Sequence, residues 1–396
     1  MKISSSLLFL WGPILARFGR VRLPVVGSLR VFEADRIGNL PGVRETEIFH
    51  EETEIRAPNF SNGRPRRTHK YPALGLYDFD NAEVTLNPRV SSVFYKGKML
   101  LPKAAAPGPW KIAYRPVSGG IVYEKDGTVV VRSRAPSKIC GRAIYVGSWS
   151  PHNWYHWLVD TLPSVYLAQF LPAEFDDFPV LVPETVLENE RWMEPLKLVL
   201  GGREVQPLPA TRYLSVERLV WITSPTSPGP LRQVQDTEPN FSMHGSALAR
   251  FTRHILDELG FDSPAPERGN RVFLVRGPGA KRPYNENELV EIAAEFGFRP
   301  ISLAEMSFRE SVEALATAEA VIGPHGAGWA NAMFAAPCTR ALMWTWDSAR
   351  YDNWFANIGA LANLDLSIRF TPGAEGSPYA VPPADFIRWV DEMVSL

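Results

Sequence analysis

The sequence is poor in cysteine and in net charge. Its 396 residues hold only two cysteines, Cys140 and Cys338, one in each half of the chain, and the formal net charge is −1. Two isolated thiols argue against a disulfide-stapled secreted fold and favour a reducing compartment, so we expect the protein in the cytoplasm. A chain without excess positive charge has no global attraction for nucleic acid, and any recognition of phosphate must therefore be local.

Several motifs that identify common enzyme classes are also missing. No GxGxxG follows a predicted strand and no GxxxxGK[ST] occurs, which counts against dinucleotide dehydrogenases and P-loop NTPases. The GxSxG elbow of α/β-hydrolases is missing as well. The zinc-protease pattern HExxH fails because Asn153 occupies the place of the glutamate. What remains is a chain that is 45% hydrophobic and long enough for two domains with substantial cores.

Long apolar runs are scarce. The apolar run at residues 7–16 is too short to span a bilayer, is interrupted by Pro13, and is followed by arginines instead of being preceded by them. Two interpretations stay open for it. It is either a basic amphipathic stretch that touches the inner face of a membrane peripherally, or a buried first element.

The first part of the chain combines β-like runs with a later βαβ-like rhythm. Strands are predicted at 91–95, 121–123, 128–132, 143–146, 178–183 and 218–223, with a helix at 188–200. The proline-rich residues 224–239 then break every periodicity, which predicts a domain boundary. We therefore predict an N-terminal α/β domain with a β-rich beginning at residues 1–235, and a C-terminal domain at residues 236–396.

Strands alternate with helices throughout the C-terminal part. The predicted strands are 271–275, 320–322, 341–344 and 364–370, and the predicted helices are 246–259, 285–296, 308–316 and 384–394. This alternation predicts a parallel sheet with helices on both faces. Ligands bind such sheets at the carboxyl ends of the strands, where Arg276, Arg282 and His325 all fall. Two guanidiniums there would suit an anion.

The most informative stretch is AVIGPHGAGWAN, residues 320–331. It predicts a strand, a glycine turn and a helix start, which together place unpaired backbone N–H groups and a positive dipole end where a phosphate could bind. His325 lies where it could touch such a ligand. The alternative interpretation is a plain helix cap with a buried histidine, since glycine-rich turns of this kind are common in α/β proteins.

A second informative stretch, residues 148–169, predicts a helix that carries His152, His156 and Asp160 on one face and that Pro163 kinks or ends. His156 and Asp160 could form a proton-transfer pair, with Asp160 as the first choice of general base and His156 as the second. The three side chains could also hold a metal ion, as in a hydrolase, or the histidines could simply belong to a core helix.

With these residues in view, the chain resembles the family 61 glycosyltransferases, which are also described as capsular polysaccharide biosynthesis proteins. The resemblance rests on HNWYHWLVDTLP (152–163), RVFLVRGPGAKRPYNENEL (271–289), GFRPISLAEMSF (297–308) and GPHGAGWAN (323–331). It implies an α/β fold of two Rossmann-like domains that face each other across a cleft, the GT-B type. It also implies transfer of a sugar from a nucleotide-sugar donor to a glycan or other hydroxyl acceptor, with inversion and without an essential metal or other cofactor.

The resemblance also assigns expected roles to individual residues. The donor-binding set would be Arg276, Arg282, Asn285, His325, Gly326, Ala327, Gly328 and Asn331. His156 and Asp160 would be catalytic, and His152 and Trp157 would lie on the acceptor side. Nucleic acid is not expected as a partner.

Two departures from the family pattern concern the donor. Residues 343–346 read Met-Trp-Thr-Trp where a glutamate is common, and Ser311 stands where a glutamine is usual. A chain that lacks a sugar or ribose ligand could be a catalytically degenerate nucleotide or glycan binding module, and this is the main alternative to an active enzyme.

Overall fold

The structure is a computed structural model in which two compact units can be distinguished. It describes residues 20–23, 27–37, 40, 43–50, 52–53, 70–71, 73–85, 92–101, 110–112, 121–125, 128–133, 138–147, 153–208, 213–226, 231–233, 243–261, 269–277, 282–346, 354–373 and 378–395. Unit 1 is Met1–Glu52 with Lys70–His244, and unit 2 is Thr53–His69 with Gly245–Leu396. The chain thus passes between the units at three points. The boundary predicted at residue 235 falls outside the described residues, as does the predicted membrane-contact stretch, 7–16.

Unit 1 is dominated by strands. They are β1 (Arg20–Leu23), β2 (Gly27–Arg36), β3 (Arg44–Phe49), β4 (Glu52–Thr53, at a unit boundary), β5 (Lys70–Tyr71), β6 (Leu74–Thr85), β7 (Ser92–Tyr95), β8 (Lys98–Leu101), β9 (Trp110–Ile112), β10 (Ile121–Lys125), β11 (Thr128–Ser133), β12 (Lys138–Tyr145), β13 (Val180–Pro183), β14 (Val205–Leu208), β15 (Tyr213–Ile222) and β16 (Leu231–Gln233). The described residues up to the end of β12 are thus mostly in strands.

Twelve of these strands form one mixed sheet. Its order is β10-β11-β2-β8-β7-β6-β15-β12-β13-β14, with β1 beside β2 and β3 beside β6. The last four strands run parallel to one another, whereas β15 is antiparallel to β6. A parallel α/β half is thus fused to an antiparallel half, and side chains such as Phe79, Ala143 and Leu219 form one core beneath the junction.

The helices of unit 1 lie between β12 and β14. They are a π-helical turn (His156–Thr161), α1 (Leu162–Leu167), two 3₁₀ turns (Ala168–Phe170 and Ala173–Phe175), α2 (Glu184–Leu187) and α3 (Glu190–Val199). The helix predicted within residues 148–169 is thus found over the described residues from 154 onward, with one π turn in it, and it continues past Pro163. Proline lacks an N–H and its ring clashes with the carbonyl four residues earlier, so the ladder widens just before it and then continues.

Unit 2 contains a five-stranded sheet in which all neighbours are parallel. Its strands are β17 (Asn270–Leu274), β18 (Phe298–Ile301), β19 (Ala318–Pro324), β20 (Arg340–Trp346) and β21 (Asp365–Thr371), in the order β18-β17-β19-β20-β21. The chain thus builds outward to one side of β17 first and then to the other. This is a doubly wound order, with its topological switch point between β17 and β19.

Helices cover both faces of this sheet. They are α4 (Gly245–Leu259), α5 (Glu286–Glu295), α6 (Phe308–Ala316), α7 (Trp354–Leu361) and α8 (Pro383–Val394), with 3₁₀ segments Leu303–Glu305 and Ala327–Phe334. Helices α5 and α8 pack with Phe273, Ile322 and Leu342 in one core, and α4, α6, α7 and the longer 3₁₀ helix pack together on the other face. No helix in the described ranges is both long and apolar enough to cross a membrane.

The predicted α/β class with parallel strands is confirmed, whereas the facing of two domains across a cleft stays a prediction. Residues 224–239, where the hydrophobic periodicity of the sequence is broken, still contribute two short pairings. Thr226 forms an isolated antiparallel bridge with Met243, and Leu231–Gln233 is β16, which pairs with β9. Backbone groups pair wherever a partner strand is available, and short edge strands tolerate prolines beside them.

Candidate functional site

The switch point of unit 2 brings predicted donor residues together. Arg276 follows β17, and His325 follows β19, the next strand in the sheet. Gly323 lets the two strands approach closely, because a Cβ at this position would lie 2.9 Å from the Cβ of Leu274. The rule for parallel sheets places a ligand in the crevice at this edge. Arg282 belongs to the same cluster through its contact with His325.

Arg276 joins the loops that follow the two strands. Its NH1 donates a short hydrogen bond to the carbonyl of Arg282, and its NH2 donates another to the carbonyl of His325. The guanidinium lies 5.7 Å from the ring centroid of Tyr284, and burial lowers the pKa of Arg276. Two of its three nitrogens are thus committed to main-chain carbonyls, which makes Arg276 a framework residue of the switch point.

Glu286 is a site residue that the sequence analysis missed. From the first turn of α5, its Oε2 accepts from the backbone N–H of Arg276 over 2.7 Å, and its Oε1 accepts from Gly277 N–H over 3.0 Å. The backbone at Gly277 is left-handed, with φ at 74°, which glycine adopts without strain. An acidic residue in a first helical turn, shortly after a glycine-rich loop, was the available signal.

Arg282 and His325 form a mixed cationic and aromatic surface. The Arg282 NH1 donates to His325 Nδ1 over 3.4 Å, and its guanidinium lies 5.1 Å from the ring centroid of Trp346. The His325 ring makes edge contacts with Trp346 at 5.3 Å and with Phe355 at 4.9 Å. In this contact His325 Nδ1 is the acceptor, because a guanidinium can only donate. No carboxylate in the described ranges pairs with Arg282.

The glycine turn after β19 leads into a helix, as predicted, and this helix, Ala327–Phe334, is of the 3₁₀ type. Gly326 is its N-cap, and the first amide groups of such a helix, at Ala327 and Gly328, have no intrahelical acceptor. The Trp329 indole donates to Pro324 O over 3.1 Å and fixes the turn. The turn therefore has the amide arrangement expected of an anion site, at the start of a helix with fewer residues per turn than an α-helix.

Two predicted donor residues are occupied with internal contacts. Asn331 is fully buried, and its Nδ2 donates to Gly328 O over 2.9 Å, while Oδ1 has no partner among the described residues. Asn285 precedes α5, but its side chain does not cap that helix. Instead Asn285 bonds both backbone groups of Val381, at 2.9 and 3.0 Å. Both side chains hold the frame of the site, and their assignment as donor ligands stays a prediction.

The residues at the two departures from the family pattern are buried. Residues 343–346 lie on β20 inside the core, and Ser311 donates to Ser307 O over 2.8 Å within α6. Trp344 contacts Tyr284 edge-on, and Tyr284 stacks on Tyr379 at 5.7 Å. Burial raises the pKa of both tyrosines, and neighbouring Glu286 adds to the effect at Tyr284. This aromatic cluster places apolar rings next to the guanidinium groups of Arg276 and Arg282.

Unit 1 contains the predicted His156–Asp160 pair, and the two side chains meet. His156 Nδ1 donates to Asp160 Oδ2 over 2.7 Å, and both side chains are buried. Thr226 Oγ1 donates to the other carboxylate oxygen, Oδ1, also over 2.7 Å. Both oxygens of Asp160 are therefore engaged. This is the arrangement in which a carboxylate orients a histidine ring and fixes its tautomer.

The pair sits on the π-helical turn. The N–H of Leu162 donates to Trp157 O, five residues back, which closes the wider ring of this helix type. The carbonyl of Asp160 accepts from Ser164 Oγ over 3.0 Å. Single π turns inside helices are found often at functional sites, and this one lies at the two residues predicted to be catalytic.

The two predicted acceptor-side residues give different outcomes. His152 lies outside the described residues. Trp157 has no exposed surface: its ring stacks on Trp192 at 5.9 Å and its indole donates to Trp192 O over 3.3 Å. The ring of Trp157 thus packs the core of unit 1, and its acceptor-side role stays a prediction. Within the described part of the chain no group of three or more His, Cys, Asp or Glu side chains could hold a metal ion.

Comparison with protein families identifies the region that holds these residues. The family model described as Glycosyltransferase 61 matches residues 154–342, which contain His156, Asp160, Thr226, Arg276 and His325. A search of curated proteins found no match. The match identifies the part of the chain at residues 154–342 as a family 61 glycosyltransferase.

Proposed function

We propose that this glycosyltransferase uses a nucleotide-sugar donor whose diphosphate binds at the carboxyl ends of β17 and β19. The observation that carries the proposal is the convergence of Arg276, Arg282 and His325 at the switch point of a parallel sheet. The backbone amides that follow Gly326 add donors of the kind that bind phosphate. Nothing in this set requires a metal ion or another cofactor, because the guanidiniums can neutralise the diphosphate themselves.

The surroundings of Arg276 and Arg282 support different roles for these two side chains. Arg276 donates from two nitrogens to main-chain carbonyls and is half-buried, so it holds the loops in place. Arg282 keeps donors available beside His325 and Trp346, so it is the better candidate for direct contact with phosphate oxygens. When the sugar leaves the donor, negative charge grows on the diphosphate, and a preorganised guanidinium stabilises that charge.

The His156–Asp160 pair is proposed to activate the hydroxyl of the acceptor. Attack by that hydroxyl on the face opposite to the leaving diphosphate inverts the anomeric carbon, and a general base must take the hydroxyl proton. Because both oxygens of Asp160 already accept hydrogen bonds, His156 is the better base and Asp160 its positioning partner. This reverses the preference that the sequence alone favoured.

The acceptor is proposed to be a glycan in cell-surface polysaccharide synthesis, handled on the cytoplasmic side, with peripheral contact to the membrane through the N-terminal stretch. This part of the proposal follows from the family and from residues 7–16 of the sequence. It fits a chain with few cysteines and nearly balanced charge.

The direct test is to incubate the protein with a panel of UDP- and GDP-sugars and to measure release of nucleoside diphosphate. We expect release from at least one donor, and binding of the matching diphosphate by calorimetry. In Arg282→Ala that affinity should fall roughly tenfold, the value of one charge-assisted contact. The control is Arg388→Ala, which removes an exposed arginine paired with Asp385 on α8.

The outcomes separate the two candidate functions. Diphosphate binding without release from any donor would favour a catalytically degenerate binding module. If neither UDP nor GDP binds, or if Arg282→Ala binds as tightly as the control, the proposed donor site is wrong.

A further inference from the structure

We infer that Thr226 is a positioning residue for His156, acting through Asp160, and that the Ser224–Thr226 segment is the element that sets this position. The inference rests on the proposed function, in which His156 is the general base. Thr226 is 66 residues from Asp160 in the chain, yet its hydroxyl donates to Asp160 Oδ1 over 2.7 Å in a buried environment. Neither the family match nor the sequence pattern assigns it a role.

The bond from Thr226 matters because of the freedom of a carboxylate. An aspartate carboxylate rotates easily about its last bond, so one contact does not fix its plane. In Asp160 the two oxygens are held from different elements: Oδ2 by His156 on the π turn and Oδ1 by Thr226. Loss of the hydroxyl would leave Oδ1 buried without this donor, and the carboxylate would then turn and carry the His156 ring with it.

The segment is also bonded to the backbone of the π turn. Ser224 Oγ lies 3.4 Å from Asp160 O and 3.1 Å from Thr226 Oγ1, and it accepts from the Thr226 N–H over 3.3 Å. Ser224 and Thr226 therefore orient each other while both touch Asp160. The hydroxyl of Thr226 is held at a fixed place relative to the carboxylate that it bonds.

The other side of the segment is bonded to residues next to the points where the chain leaves unit 1. The Tyr71 hydroxyl donates to Ser224 O over 2.9 Å, and the backbone N–H of His244 donates to Pro225 O over 2.7 Å. His244 in turn donates through Nε2 to His50 O over 2.9 Å. His50, Tyr71 and His244 each lie within three residues of one of the three chain crossings. The position of Asp160 is thus linked by short hydrogen-bond paths to all three.

The test compares Thr226→Val with Thr226→Ser. Valine keeps the shape and removes the hydroxyl, and we expect kcat for nucleoside diphosphate release to fall roughly tenfold or more, the scale of a misplaced general base. The Kd for the released diphosphate, UDP or GDP, should change less than about twofold, since that site lies on unit 2 residues. Serine restores the hydroxyl and should recover most of kcat. Thr339→Val is the matched control, because Thr339 is a buried threonine whose hydroxyl bonds only main-chain carbonyls, those of Ala318 and Ala336.

A second readout does not depend on turnover. In protein labelled with ¹⁵N-histidine, the His156 ring, assigned with His156→Gln, should show a protonated Nδ1 in the wild type and in Thr226→Ser, and a changed or averaged pattern in Thr226→Val. Unchanged kcat and unchanged ring signals in Thr226→Val would overturn the inference while leaving the enzyme assignment intact. A wild type that releases no diphosphate from any donor would overturn the proposed function, and the ring signals would still decide whether Thr226 positions His156.

Discussion

At the scale of single residues, the two arginines of the switch point carry the same charge in different surroundings. We expect Arg276→Ala to lower stability by about 1–3 kcal/mol, because two main-chain carbonyls lose a charged donor inside the protein. The melting temperature should fall by several degrees, measured by calorimetry beside Arg282→Ala, which should change it little. Equal melting temperatures for the two variants would contradict the framework role of Arg276.

The positions of the candidate catalytic and donor-binding residues were predictable from the sequence where they follow local rules. Arg276, Arg282 and His325 were expected together because parallel strands end at one edge, and His156 and Asp160 because four residues make one helical turn. The contacts of Asn285, Glu286 and Thr226 were not predictable. Their partners lie 96, 10 and 66 residues away in the chain, and only the tertiary fold brings them together.

At the scale of elements, the π turn before Pro163 is the feature most open to a test. In Pro163→Ala the new N–H can bond to Val159 O, which would draw the turn toward a regular α-helix. We expect kcat to fall because His156 and Asp160 shift relative to Thr226, while the melting temperature stays equal or rises. Pro195→Ala in the interior of α3 is the control, since it repairs a helix that carries no proposed catalytic residue.

If the Pro163→Ala variant forms a regular α-helix here and keeps full activity, the π turn is not needed for the His156–Asp160 geometry. If the control Pro195→Ala loses as much activity as Pro163→Ala, any added helical N–H in this unit disturbs the site.

Elements were predictable from the sequence more completely in unit 2 than in unit 1. Most strands and helices of unit 2 have their own hydrophobic period and turn signals, as in Phe308–Ala316 with its Ser307 capping box, whereas β18 and α7 were not predicted. In unit 1 the short strands such as Val205–Leu208 carry little pattern, and the antiparallel pairing of β15 with β6 joins residues far apart in the chain. Strand order depends on such distant pairings, which no local pattern encodes.

At the scale of the whole molecule, buried tyrosines predict a loss of stability in alkaline solution. Burial raises the pKa of Tyr77 in unit 1 and of Tyr379 in unit 2. The unfolded chain releases these protons near pH 10 while the folded chain keeps them. Stability is therefore unaffected by these groups below about pH 10 and falls above it, by up to about 1.4 kcal/mol per pH unit for each tyrosine.

Urea unfolding followed on both sides of this pH measures the effect, and Tyr379→Phe isolates one contribution. The Tyr379 hydroxyl has no hydrogen-bond partner among the described residues, so its removal should leave stability near neutral pH about unchanged. The variant should lose less stability than the wild type as the pH rises. An identical loss in both proteins would mean that Tyr379 ionises as easily in the fold as in the unfolded chain.

The position of β12 has a practical consequence for anyone who would express only the family-matched region. A fragment of residues 154–342 starts after β12, the strand that pairs with both β13 and β15, and it stops before β21 and α8. Such a fragment would expose strand edges that are paired in the intact chain and would lose Phe386 and Trp389 from a core. We expect it to aggregate, so work on this enzyme should keep the chain from β12 through α8 and the antiparallel strands beside it.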